Sequence, residues 1–143
     1  MSAAGTWFWW ALLSATFAAL TTIFAKIGLQ GVDSDFATLF RTLVIVVLLG
    51  AFVASTGKWV NPTTLPPRAL GFLVLSALAT GASWVCYFRA LQVGDATLVA
   101  SVDKTSLLIV ALIAVPFLGE RPSARQWAGF ALVAGGILLL ARR

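Results

Sequence analysis

A chain of 143 residues that is 60% hydrophobic and 10% charged does not read as a soluble domain, since ordinary globular chains carry roughly a quarter charged residues. Its length accommodates one compact membrane unit, residues 1–143, with nothing left over for a second domain. A net charge of +5 would suggest nucleic acid in a soluble protein. Here no basic run with interleaved aromatics lies on a polar face, so nucleic acid is set aside as a partner and the excess is assigned to anionic lipid and loop bias.

The N-terminus, MSAAGTWFWW, lacks a positive n-region, and the apolar stretch after it is too long for a signal-peptide core. The first helix is therefore expected to stay in the mature protein. Five apolar segments follow in order, at about residues 6–29, 35–55, 67–91, 95–118 and 122–141. Each has about 20 or more residues, enough to cross a hydrocarbon core of about 30 Å at 1.5 Å per residue. The fold class is all-α, an integral membrane protein of five transmembrane helices. Breakers separate the spans: Gly31 and Asp33, then Gly57, Asn61, Pro62, Pro66 and Pro67, then Gly94, then Gly119 and Pro122. Pro122 is expected in the first turn of the fifth span, where its missing N–H costs nothing. Pro116 is expected to bend the last turn of the fourth. The single cysteine, Cys86, has no partner in the chain, so no disulfide framework is possible.

Let side A be the face holding the N-terminus and side B the other. Trp7, Trp9, Trp10, Trp59 and Trp127 fall at side A, as an interfacial aromatic belt does, whereas Trp84 lies deep in the third span. Lys26, Arg41, Arg89, Asp103 and Lys104 fall in the side B half of their spans, with Asp33, Asp35 and Asp95 in the side B loops. Four cations and four carboxylates in one half of a small bundle point to an aqueous cavity open to side B. Lys26 and Arg89 lie within snorkelling reach of the interface and Arg41 is marginal. Asp103 and Lys104 are not within reach, and near the midplane an ion costs about 2.5–3.5 kcal/mol on the mildest scale.

Lys58, Arg68, Arg121 and Arg125 on side A face Lys26, Arg41, Arg89, Arg142 and Arg143 on side B. This near balance gives no firm orientation. A chain without an orientation preference can insert both ways, and two opposed copies would form an inverted repeat from one sequence. A second copy of the chain, arranged as an antiparallel homodimer with dual topology, is thus an expected partner beside the lipid bilayer.

The stretch Ala90-Leu91-Gln92-Val93-Gly94-Asp95-Ala96, the Asp103-Lys104 pair, Leu118-Gly119-Glu120, and Gln126-Trp127-Ala128-Gly129 through Gly135-Gly136 together resemble one unit of the EamA-type drug/metabolite transporters. The resemblance covers nearly the whole chain. Larger members look like two such units in tandem with inverted topology, whereas this chain has one and no internal repeat. The resemblance implies an exporter of small metabolites or drugs. It also implies a polar cavity bounded by the first four helices, with the fifth packing or dimerising.

Several residues are candidates for contact with a small-molecule substrate. Thr97, Ser101, Lys104 and Thr105 form one polar stripe, with Asp103 and Ser106 at its edge. Adjacent helix residues point about 100° apart, so Asp103 and Lys104 are not expected to bond face to face. One reading makes the stripe a cavity wall, in which Lys104 meets an anionic or polar substrate group and Asp103 pairs it or exchanges a proton. The other makes it a packing lock, an ion pair with Arg41 or Lys26. Trp84 and Tyr87, with Phe40 and Phe17, suit either an aromatic cage for a flat or cationic ligand or plain core filling. Ala124, Ala128, Ala131 and Gly135 in the fifth span, like Ala11, Ala15 and Ala19 in the first, permit close helix approach, within the chain or between copies.

With no histidine, one cysteine and one glutamate, metal sites and His-based triads are excluded, and no cofactor is expected. Ser101 and Lys104 at i, i+3 are the bare minimum of a Ser–Lys pair, without a recognisable oxyanion element. The chain is not expected to be an enzyme. The expectation is a small-metabolite or drug exporter of a bacterial-type inner membrane, working as a homodimer by alternating access. The alternative is a non-transporting membrane subunit or assembly partner of another transporter.

Overall fold

In lipid a spanning segment must satisfy its own backbone, and apolar runs of this length do so as helices. The computed structural model describes residues 3–141, with side chains from Gly5 onward, and no strand occurs among them. The helices are α1 (Ala3–Gly28), α2 (Ser34–Ser55), α3 (Pro67–Val93), α4 (Ala96–Asp103), α5 (Thr105–Leu118) and α6 (Ala124–Ala141), with a short 3₁₀ turn at Pro62–Thr64. Five segments are long and apolar enough to cross a membrane, α4 and α5 together supplying the fourth, Ala96–Leu118. The five expected spans are present. Arg142 and Arg143, included in the side B charge balance, lie outside the described residues.

Helix ends follow local chemistry. Asp33 caps α2, its Oδ1 accepting from the amides of Asp35 and Phe36 at 3.0 Å each. Asn61 caps the 3₁₀ turn through Thr63 N–H at 3.1 Å. Gly119 ends α5 at φ 68°, a left-handed conformation that glycine adopts without a Cβ penalty, and Glu120 N–H then turns back to the Ala114 carbonyl at 3.3 Å. The last helix starts later than expected. Pro122 lies outside it, and Ser123 and Gln126 close a capping box, with Ser123 N–H donating to Gln126 Oε1 at 2.7 Å.

The fourth span differs most from expectation. It is not one helix but two, interrupted at Lys104. Lys104 N–H donates to the Ser101 carbonyl at 3.2 Å and Leu107 N–H to the Lys104 carbonyl at 3.0 Å, both i to i−3 bonds that tighten the turn. Ser101 Oγ donates to the Thr97 carbonyl at 2.7 Å, and such back-bonding by a hydroxyl bends helices.

The backbone gathers into two compact units. One is Ile23–Val93, in which α2 packs on α3. Its buried side chains are Leu29, Ser34, Thr38, Phe88 and Leu91, with Leu91 wholly enclosed. The other comprises residues up to Thr22 and those from Gly94 onward, in which α6 packs on α4 and α5. There Ala111 and Ala114 are buried. On α6 the half-buried positions are Phe130, Ala134, Gly136 and Ile137, while Ala124, Ala128, Ala131 and Gly135 stay exposed. Intrachain packing thus uses a different face of α6 from the small-residue row. Cys86 is exposed on α3. The outward surface is dominated by large apolar side chains, as a bilayer-facing surface requires.

Candidate functional site

Asp103 and Lys104 flank the break between α4 and α5. Lys104 lies eight residues beyond the start of α4, about 12 Å into the span. Lys104 Nζ stands 3.9 Å from Asp103 Oδ2, an ion-pair distance outside hydrogen-bonding range. The two side chains are 64% and 42% exposed, so neither is sealed within its own unit. Adjacent helix residues point about 100° apart, and the pair meets only at this long distance. Ser101 is half-buried, and its hydroxyl turns back onto α4 rather than outward.

The remaining sequence candidates, Phe17 apart, lie in the unit Ile23–Val93. Arg41, eighth residue of α2, places its guanidinium carbon 4.4 Å above the Trp84 ring and 5.2 Å from Phe88 on α3. The cation over Trp84 is therefore the chain's own. Lys26 Nζ donates to the Leu91 carbonyl at 2.6 Å, in the last turn of α3, where carbonyls lack helical partners and the helix dipole favours a cation. Tyr87 is half-buried. Phe40 is 61% exposed and Phe17 60%, so both present their rings outward.

Two features were not singled out from the sequence. Phe88 is the second ring against Arg41 and is almost fully buried. Arg89 grips Asp35 in a two-bond fork, Nε to Oδ1 at 2.9 Å and Nη2 to Oδ2 at 2.6 Å, tying the end of α3 to the start of α2. Gln92 Nε2 adds a bond to the Val32 carbonyl at 3.1 Å. Fifty-four positions separate Arg89 from Asp35, and only the general charge balance at this end hinted at the pair.

Beside this latch, α2 and α3 border an open groove of about 620 Å³, lined by Asp35, Thr38, Thr42, Thr80 and Trp84 among mostly apolar neighbours. The threonine hydroxyls are satisfied along their own helices: Thr38 donates to Ser34, Thr42 to Thr38 and Thr80 to Ser76, at 2.7–2.9 Å. No buried side-chain nitrogen or oxygen among the described residues lacks a partner.

Comparison with known proteins agrees with this architecture of five apolar spans holding a few placed ions. The family described as "EamA-like transporter family" matches residues 5–142. A Sinorhizobium protein named "uncharacterized transporter in cobO 3'region" is 55% identical over 136 residues, covering 95% of this chain and 96% of that one. No solved structure matches the chain significantly. The chain is a multi-pass integral membrane protein and belongs to the EamA-like transporter family.

Proposed function

We propose that the protein exports a small metabolite or drug across the inner membrane as an antiparallel homodimer, by alternating access, with Asp103 and Lys104 among the groups that meet the passenger. The observation that carries this reading is the break at Lys104. A 23-residue apolar span holds a carboxylate and an ammonium at a point where its helix is interrupted. Interrupted helices in transporters bring polar backbone and ions to the passenger, and intramembrane ions default to function. The family and the transporter named among its relatives support the general activity.

The test is flux in proteoliposomes, screened with labelled metabolites against the wild-type chain. Lys104→Ala and Asp103→Asn each abolish flux while expression and dimer content persist. Full activity in both variants overturns the assignment. A wild-type chain that gives no flux with any passenger, and no ligand-dependent change in stability, favours a subunit role instead.

A further inference from the structure

We infer that Arg41 is a recognition group for an organic anion, a carboxylate on an apolar body, which Trp84 and Phe88 hold in position to receive it. Calling that anion the passenger rests on the transport reading above; the binding site itself does not.

The geometry comes first. Stacking on Trp84 at 4.4 Å and Phe88 at 5.2 Å engages the guanidinium near the aromatic faces. The N–H fork, which matches a carboxylate in two parallel bonds, is not taken up by a ring contact. Arg41 makes no hydrogen bond or ion pair with the described residues of its own unit, Ile23–Val93. The carboxylates of that unit are engaged elsewhere: Asp35 in the fork with Arg89, and Asp33 on the amides that start α2.

Depth argues against a lipid headgroup. Trp84 lies nine residues before the end of α3, about 14 Å along the helix. The guanidinium stays beside both rings, Phe88 lying about 8 Å from the end of α3, whereas a snorkelling arginine extends to the interface. Room for an apolar body lies alongside, since Trp84 also lines the 620 Å³ groove between α2 and α3. That volume suits a small-molecule site, and its walls are mostly apolar with hydroxyls already bonded. A cationic ligand is disfavoured, because Arg41 occupies the position over Trp84 that it would take.

The experiment is a thermal-stability titration of the purified full chain in detergent. The probes are acetate, benzoate, phenylacetate and indole-3-acetate, each against its neutral amide, with inorganic phosphate and phosphatidylglycerol micelles as further arms. Carboxylates with an aromatic body raise the midpoint in the wild type, and their amides do not. Arg41→Gln weakens apparent affinity about ten- to hundredfold, the loss expected for charge-assisted hydrogen bonds. Arg41→Lys, which keeps the charge and loses the fork, weakens it less, and serves alone if the glutamine variant does not fold. Arg68→Gln, at the opposite end of α3, leaves the shift unchanged.

Several results overturn the site: no shift with any carboxylate, equal shifts with the amides, affinity unchanged in the Arg41 variants, or a shift with phosphatidylglycerol alone. Flux of the bound carboxylate into proteoliposomes is measured separately. Arg41-dependent binding without flux keeps the site and removes the transport reading. Carboxylate flux undiminished in the Arg41 variants removes the site and keeps that reading.

Discussion

At the scale of single residues, the charged side chains of the unit Ile23–Val93 have distinct physical tasks. Arg89 and Asp35 join two helices through a planar fork, Lys26 neutralises the carbonyl end of α3, and Asp33 starts α2. Arg89→Lys keeps the charge but not the two parallel bonds, so it should destabilise the chain. Because both side chains are at least half exposed, solvent screens the pair and the cost should be small. A double-mutant cycle over Arg89→Ala and Asp35→Ala in detergent unfolding should show a small coupling, and strict additivity would deny the pair any role. That charges gather at one end of the spans was legible in the sequence. Which cation meets which partner was not, because several lay within reach and pairing depends on how α2 and α3 rotate about their axes. Arg41 shows the same limit: within its own unit it stands against two rings, one of them, Phe88, unremarked in the sequence.

At the scale of elements, hydropathy located the spans because the bilayer imposes a minimum apolar length that few other constraints imitate. The interruption at Lys104 escaped notice because neither glycine nor proline marks it. Ser101 bonds back to the Thr97 carbonyl just before it, but threonines do the same inside the unbroken α1, α2 and α3, so that bond is no sequence signal of a break. The shortened bonds at Lys104 and Leu107 should make that turn easier to open than the body of α5. Hydrogen–deuterium exchange of the purified chain should therefore show faster exchange at residues 103–107 than at 109–114. Equal protection across the two stretches would mean that the fourth span behaves as one rigid rod. The late start of α6 has a local cause as well. The Ser123–Gln126 capping box places the helix start after Pro122, so Gln126 has a structural task.

At the scale of the whole molecule, the exposed small-residue face of α6 bears on assembly. Ala128 and Gly135 stand away from the face that packs on α4 and α5, so a bulky residue there tests for contact with a second copy without entering that packing. Ala128→Trp should lower the dimer fraction in cross-linking while the chain still expresses; an undiminished dimer would move the contact to another helix. A C-terminal tag probed in intact cells should be found on both sides of the membrane if copies insert in opposite senses, and a single population would exclude that arrangement. Cys86 adds a native reporter. Its thiol is exposed on a helix apolar enough to span the bilayer and is the chain's single sulfhydryl. The thiolate is the reacting form and does not form against hydrocarbon, so a sulfonated maleimide should leave it unmodified in membranes and modify it after unfolding in detergent. With no engineered handle, one mass measurement thus gauges whether that stretch of α3 lies against hydrocarbon, water or another polypeptide.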